Sequence, residues 1–309
     1  METAPPPRSP WGPPTTPPGE VDWSRHAVPI ARAERAPHPT LPLAAGAGAL
    51  VVLVVSLLGS KVVLDLLVDR GWPVVVYVAL LAVAGYGPSL MWWWYASRRW
   101  GTGRRWRDVG VVPRWSDIGW GPVVWFATVA IQVVVGAIVL FAGVPLANNT
   151  DDIASFDVDR TYTVAIVITA VVAAPIVEEL VFRGLVMRSL LSKLPALPAI
   201  GLQGILFGVA HVDPVRGAGN IGLAIVLSAV GTSFGGAAYL LRRIGPTMVA
   251  HALFNGIVMI LLLTGIRDRI IEQNPDVFDD LGSVVEQVAV VDQPHLAEPH
   301  GGGDPHEAR

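Results

Sequence analysis

Two glutamates and two histidines lie in stretches of the sequence that are otherwise almost entirely apolar. Between residues 40 and 271 the chain has no glutamate besides Glu178 and Glu179, and five of its seven histidines fall outside that range. The other two, His211 and His251, have apolar neighbours on both sides. Carboxylates and imidazoles exchange protons in catalysis, and an ionisable group within a bilayer is a functional-site candidate. These four residues are therefore the first candidates for chemistry.

The glutamate pair has a cation one helical turn away. On a helix, Glu179 and Arg183 share a face at i,i+4 and can form an ion pair, whereas Glu178 points about 100° away and lacks that partner. A carboxylate of this kind is suited to act as a general base that activates water. The alternative is an interfacial cluster of glutamate and arginine that anchors the end of a membrane helix.

The two histidines have partners at the same spacing. Phe207 lies one turn before His211, so its ring can pack beside the imidazole. His251 and Asn255 share a helix face, where an imidazole and an amide could bind a metal, position a water molecule or stabilise an oxyanion. A lone histidine on an apolar helix is more often a buried core residue than a catalyst, and this interpretation stays open for His211.

The composition indicates an integral membrane protein. Of 309 residues, 52% are hydrophobic and 15% are charged, against about 25% charged residues in soluble proteins. A membrane helix needs about 20 mostly apolar residues, and seven stretches qualify: 43–64, 72–95, 118–144, 161–182, 196–212, 219–241 and 245–266. We predict an all-α fold, a polytopic membrane helix bundle with about seven transmembrane helices. An eighth segment that lies on or re-enters the membrane stays open.

Four regions are expected along the chain. A disordered, Pro-rich tail covers residues 1–42, three membrane helices residues 43–160, a core of four helices with all the candidate residues 161–266, and a polar, acidic tail 267–309. Arginines concentrate in the loops after the second and fourth stretches, so the positive-inside rule predicts a cytoplasmic N-terminus. Seven spans would then place the C-terminus outside.

Charge and cysteine content exclude several classes of protein. The chain has 25 acidic and 22 basic residues and a net charge of -3, which argues against nucleic acid as a partner because a basic surface would be expected. It has no cysteine. Disulfides, thiolate nucleophiles, cysteine-ligated zinc and iron–sulfur clusters are therefore excluded.

The predicted helices impose one geometric condition on a single site. On a straight, spanning fifth helix His211 would lie about 22 Å beyond residue 196, and far from Glu178. The two residues meet only if that helix begins deeper, near Gly201, or is tilted or short. The pairs Gly204/Gly208 and Gly231/Gly235 have the spacing that permits close helix packing in lipid.

Three ordered motifs resemble those of a known family. They are Glu178-Glu179-x-x-x-Arg183, Phe207-x-x-x-His211 and His251-x-x-x-Asn255, set in the sequences EELVFRG, LFGVAH and AHALFN. In this order on successive membrane helices they resemble the CAAX-protease and bacteriocin-processing (CPBP) family, also called the ABI family or type II CAAX prenyl endopeptidases. The resemblance covers about residues 161–266, and no motif position departs from it.

The resemblance implies an intramembrane endopeptidase of the plasma membrane. Its catalytic residues would be the ionisable and amide members of the three motifs, Glu178, Glu179, Arg183, His211, His251 and Asn255. By resemblance, Glu178 and His211 activate water, and the Glu179–Arg183 pair holds the site together. By resemblance, His251 and Asn255 polarise the scissile carbonyl and stabilise the oxyanion. The substrate would be a membrane-associated peptide or protein, since the family is associated with processing of prenylated proteins, bacteriocin maturation and self-immunity.

The involvement of a metal stays open in the sequence. The resemblance implies a metalloprotease, and Glu178, His211 and His251 could supply three ligands to zinc or another divalent ion with one position open. The His-Glu-x-x-His helix of common zinc proteases is absent, and the same residues could run a metal-free, glutamate-based reaction. No haem and no nucleotide cofactor are expected.

Other functions fit part of the pattern. A proton-coupled transporter or channel also uses intramembrane Glu, Arg and His, but would more often show two related halves, which this sequence lacks. A bis-histidine haem protein would explain His211 and His251, though not the glutamate pair or Asn255. A non-cleaving immunity or scaffold protein that keeps the motifs is the remaining alternative.

Overall fold

The computed structural model describes residues 41–147, 160–213 and 217–266, together with residues 269 and 273. Within these ranges all regular secondary structure is helical. Nearly all of the predicted tails 1–42 and 267–309 lie outside the described residues, and so do the acidic residues Asp151, Asp152, Asp157 and Asp159 of the predicted loop.

Eight helices follow one another along this part of the chain. They are α1 (Leu43–Leu67), α2 (Val74–Trp100), the short α3 (Arg105–Asp108), α4 (Ser116–Phe141), α5 (160–190), α6 (Ala196–Val209), α7 (Gly219–Leu241) and α8 (Gly245–Leu263). Six of them, all except α3 and α6, are long and apolar enough to cross a membrane. Each of the seven predicted stretches corresponds to one helix, so the prediction of an all-α membrane helix bundle is confirmed.

Helix α6 is too short to cross a bilayer. It begins at Ala196, directly after Pro195, and ends at Val209. Its 14 residues extend about 21 Å at 1.5 Å per residue, against a hydrocarbon core of about 30 Å. The condition for a single site is therefore met by a short helix rather than by a late start near Gly201. His211 lies in the turn that follows α6 and not within a helix.

Helix α5 changes pitch along its length. It is α-helical over Arg160–Ile168, π-helical over Thr169–Ala173, α-helical over Ala174–Glu179, π-helical over Leu180–Val186 and α-helical again over Met187–Leu190. Such π-helical turns are rare and occur frequently at functional sites. The glutamate pair therefore ends a six-residue α-helical stretch that has a π-helical stretch on either side. The hydrophobic pattern predicted one helix over 161–182 and did not show this change of pitch.

Close packing of α6 on α7 depends on the predicted glycines. A Cβ at Gly204 would lie 2.7 Å from the backbone nitrogen of Thr232, and one at Gly231 would lie 2.9 Å from Cβ of Phe207. Real Cβ atoms do not approach this closely, so a larger residue would separate the helices. The contact holds Phe207, and with it the turn that carries His211, against α7.

The remaining contacts place α5 at the centre of the candidate site. Helix α1 packs against the π-helical segment Leu180–Val186, and α8 packs against both Thr169–Ala173 and Ala174–Glu179. Helix α4 supports α7 and α8 from the other side, with a hydrogen bond of 2.8 Å between the hydroxyls of Thr128 and Ser233. The candidate residues on α5, on α8 and in the turn after α6 thus come from elements that pack against α5.

Candidate active site

A buried ion pair forms the base of the site. Arg183 donates from Nη1 to Oε1 of Glu179 at 2.8 Å, and neither side chain is exposed. Nη2 of Arg183 donates to the backbone carbonyl of Gly231 on α7 at 3.1 Å. The guanidinium also lies 4.5 Å from the ring centre of Phe207 and 5.3 Å from that of Phe234. The i,i+4 pair predicted from the sequence therefore forms, and it links α5 to α6 and α7.

Glu179 is also the point at which α8 joins the site. Its Oε2 accepts a hydrogen bond of 2.6 Å from Oγ1 of Thr247, and its Oε1 lies 3.2 Å from Nδ1 of His251. With Arg183, these contacts satisfy both carboxylate oxygens of a buried anion, as its burial requires. Removal of any one donor leaves Glu179 with fewer partners for its charge.

Thr247 was not among the residues selected from the sequence. It is fully buried on α8, where Thr247, His251 and Asn255 follow one another at i,i+4. That spacing extends the stripe of polar residues on α8 by one turn, and it was the signal that could have identified Thr247. Gly231 contributes only its carbonyl oxygen, which no pattern of side chains reveals.

Glu178 has a different environment from that of its neighbour. Its Oε2 is buried and has no hydrogen-bond partner among the described residues. Two imidazole nitrogens face this oxygen, Nε2 of His211 and Nε2 of His251, each 3.8 Å away. The side chains are 14%, 25% and 8% exposed for Glu178, His211 and His251. The structure therefore brings the three residues together at a partly open position.

The distances from Oε2 of Glu178 to the two imidazoles fit a bridging molecule better than direct hydrogen bonds. A direct hydrogen bond between nitrogen and oxygen has a length of about 2.7–3.2 Å, so 3.8 Å is too long for one. A water molecule commonly bridges polar groups at separations beyond about 3.5 Å. A water between Glu178 and the two imidazoles would satisfy the buried Oε2.

The contacts of the two Nδ1 atoms determine how the rings are protonated. Nδ1 of His211 lies 2.7 Å from the backbone carbonyl of Phe207, which only accepts hydrogen bonds. Nδ1 of His251 faces the carboxylate of Glu179, which is also an acceptor. Each Nδ1 therefore carries a proton, and in a neutral ring Nε2, which faces Glu178, is an acceptor. Either Nε2 can then accept a proton from a molecule bound there.

His211 is held in place although it lies outside a helix. Its ring packs on Phe207 with 4.6 Å between ring centres. Two residues further on, Asp213 accepts a hydrogen bond of 3.0 Å from Lys61 of α1, and its backbone carbonyl accepts one of 2.6 Å from Asn220 of α7. These contacts fix the turn on both sides, so the imidazole keeps its position opposite Glu178.

Asn255 has a contact that the sequence did not suggest. Its Nδ2 donates to the backbone carbonyl of Ala170 in α5 at 2.7 Å rather than to either glutamate. Asn255 follows His251 by one turn on α8, as the spacing predicted. Its predicted role at the oxyanion stays a prediction.

Glu178, His211 and His251 are the residues that the sequence predicted as metal ligands. Among the residues that the structure describes, no three or more histidine, aspartate or glutamate side chains are arranged to hold one. Glu178, His211 and His251 converge without meeting that condition. The metal site of these three residues stays a prediction.

Comparisons with known proteins agree with the motif region. Residues 160–257 match the family model described as type II CAAX prenyl endopeptidase Rce1-like, which confirms the resemblance found from the three motifs. A curated relative is the Bacillus subtilis (strain 168) protein named "Putative membrane peptidase YdiL", 26% identical over 128 residues. The alignment covers 41% of this chain and 48% of the relative, so the match spans about half of the relative's length. No solved structure matches. These similarities support a CAAX-type membrane protease in general.

Proposed function

We propose that this protein is an intramembrane endopeptidase that cleaves a membrane-associated protein or peptide with water activated by Glu178 and His211. The observation that carries the proposal is the unpartnered Oε2 of Glu178, which among the described residues has an imidazole Nε2 at 3.8 Å on each of two sides. This arrangement supplies a base and a second proton acceptor that face each other. The family match over residues 160–257 supports the same chemistry.

The reaction begins with the water held between Glu178 and His211. As the water oxygen attacks the scissile carbonyl carbon, its proton passes to the Glu178 carboxylate, and Nε2 of His211 accepts the second hydrogen bond of the water. A new C–O bond forms and the carbonyl oxygen becomes an oxyanion. Glu178 then returns its proton to the leaving nitrogen, and the C–N bond breaks. General-base catalysis of this kind contributes roughly 10²–10⁴-fold.

His251 polarises the carbonyl in this proposal. Its Nδ1 already donates to Glu179, so Nε2 can donate to an oxyanion only when the ring is protonated. Glu179, which is paired with Arg183, contacts the opposite ring nitrogen of His251, Nδ1.

The membrane context of the proposal follows from sequence patterns. The proposal places the N-terminus in the cytoplasm, as the loop arginines predict, and the protein in the plasma membrane, where its substrate is membrane-associated. Prenylated proteins are among the substrates that the family match suggests for testing. The proposed reaction is written for the side chains of Glu178, His211 and His251.

One experiment tests the proposal before any substrate has been identified. Protein termini in membranes are compared by mass spectrometry between cells that produce the wild-type protein and cells that produce Glu178→Gln at matched levels. We expect termini that appear only with the wild-type protein, because the amide of glutamine accepts no proton from water. Identical termini with both folded proteins would overturn the assignment of Glu178 as the base.

A further inference from the structure

One hydrogen bond joins α8 to the first π-helical turn of α5. Nδ2 of Asn255 donates to the backbone carbonyl of Ala170 at 2.7 Å. The helices are close here, since a Cβ at Gly256 would lie 3.6 Å from Cγ1 of Val171, an ordinary contact distance. The amide thus reaches a main-chain carbonyl inside another helix, where the helix itself normally supplies the donor.

The sequence explains why the carbonyl of Ala170 needs an outside donor. In this π-helical turn the N–H of Ala174 donates to the carbonyl of Thr169, five residues earlier. The next bond in the series would run from residue 175 to Ala170, but residue 175 is proline, which has no N–H. Because a carbonyl in the bilayer cannot turn to water, the loss of its partner would destabilise this turn. Asn255 supplies the donor that Pro175 lacks.

The turn at Ala170 determines the direction in which Glu178 points. Glu178 follows Pro175 by three residues, within one helical turn. A π-helical turn contains one residue more than the α-helical turn it replaces, and each residue rotates the following side chains by about 100°. Suppose that the turn reverted to α-helical pitch while the first part of α5 stayed in place. Glu178 would then rotate about the helix axis and point away from the two imidazoles.

Helix α8 carries both the imidazole that faces Glu178 and the amide that contacts the π-helical turn. Helix α8 carries His251, which faces Oε2 of Glu178 at 3.8 Å, and Asn255, one turn later. The position of the imidazole and the direction of Glu178 are therefore set from one rigid element. Both contacts change together if α8 moves along α5.

We propose that Asn255 is a positioning residue, whose amide replaces the N–H missing at Pro175 and holds the π-helical turn that directs Glu178 towards His211 and His251. This inference rests on the proposed function of Glu178 as the base. It differs from the oxyanion role that the family resemblance implies for Asn255. The two roles predict different results when the missing N–H is restored.

The test uses Asn255→Ala, Pro175→Ala and the double variant, with a cleaved substrate identified from the terminus comparison. For Asn255→Ala we expect a fall in kcat of roughly 100-fold with a much smaller change in KM, because a displaced catalytic group costs about that much. In the double variant, the alanine introduced in place of Pro175 offers its own N–H to Ala170, and we expect kcat to recover to within about tenfold of the Pro175→Ala value. An oxyanion donor would not be replaced by this change.

A second measurement reports the protection of the π-helical turn from exchange and does not depend on activity. Hydrogen–deuterium exchange is followed in the peptide that contains residues 169–179. We expect faster exchange in Asn255→Ala than in the wild type, and restored protection in the double variant. Pro175→Ser in place of Pro175→Ala supplies the same N–H if the alanine variant does not fold.

The outcomes separate this proposal from the proposed function. Exchange that is equal in the wild type and Asn255→Ala would overturn the positioning role, whatever the protein catalyses. A double variant with restored protection and a kcat still near that of Asn255→Ala would also overturn it, in favour of direct contact with the substrate. The predicted exchange pattern in a protein that cleaves nothing would leave the structural role of Asn255 established and would refute the proposed peptidase instead.

Discussion

The hydroxyl of Thr247 donates to Oε2 of Glu179 over 2.6 Å. It thereby fixes a carboxylate whose other oxygen binds Arg183 and faces His251. Thr247 and His251 lie one turn apart on α8, so the helix contacts the buried anion at two points. This geometry makes Thr247 part of the support for His251 and not only a core residue.

Thr247→Val should therefore destabilise the protein and lower its activity together. Valine keeps the shape of threonine and removes a hydrogen bond to a charged group, which contributes about 1.5–3 kcal/mol. Thermal unfolding in detergent micelles measures the first effect, and kcat on a cleaved substrate measures the second. Thr247→Ser is the matched control, since serine keeps the hydroxyl, and it should retain most of both. Equal behaviour of the valine and serine variants would show that the hydrogen bond contributes little.

Glu178→Gln and Glu179→Gln should behave differently although they are adjacent. Oε2 of Glu178 has no partner among the described residues, so an amide there removes an unpaired buried charge and should leave unfolding temperature unchanged or raised. Its turnover should fall by roughly 10²–10⁴-fold with the loss of the base. Glu179→Gln should lower both turnover and unfolding temperature, because Arg183 then lacks a buried counter-charge. A Glu178→Gln protein that is less stable than Glu179→Gln would contradict this division of roles.

The sequence predicted the parts of the site that depend on local spacing. Glu179 with Arg183, and Phe207 with His211, are i,i+4 neighbours, and both pairs are in contact in the structure. Contacts of this kind follow from helical geometry alone. The seven apolar stretches likewise corresponded to seven helices, because hydrophobic runs of this length have few other solutions in a bilayer.

The parts that the sequence did not predict depend on contacts between distant segments. The pitch of α5 is set jointly by Pro175 and by Asn255, which is 85 residues from Ala170. Thr247 meets Glu179 only because α8 packs along α5, and the short α6 places His211 in a turn. Hydrophobic periodicity records which face of a helix is apolar, and it contains no information on how two helices are set against each other.

Gly204→Ala should destabilise the contact that carries His211. Its Cβ would lie 2.7 Å from the backbone nitrogen of Thr232, which belongs to α7 and has little freedom to move. Overpacking of this kind costs about 1–3 kcal/mol. Gly201→Ala is the matched control on the same helix, since a Cβ there meets nothing within 4 Å. We expect a lower unfolding temperature for the first variant only, with reduced turnover from a displaced His211.

Removal of divalent metals should leave turnover unchanged. The proposed reaction assigns the activation of water to the side chains of Glu178 and His211. Purified protein is treated with a strong chelator, its metal content is measured by mass spectrometry, and activity is compared before and after. A loss of activity that added zinc restores would instead establish the predicted metal site of Glu178, His211 and His251.

Stability and activity should separate when both members of the buried ion pair are replaced. Arg183→Met alone leaves the charge of Glu179 buried without its cation, which typically costs about 3–5 kcal/mol. The double variant Glu179→Gln/Arg183→Met removes both charges of the pair, so much of the lost stability should return. Turnover should stay low, because a neutral amide at position 179 accepts a weaker hydrogen bond from Nδ1 of His251 and so holds the imidazole less firmly. Arg98→Met, at an exposed arginine, is the control for loss of a cation. If turnover returned together with stability, the pair would serve the fold alone, and the support of His251 by Glu179 would have to be abandoned.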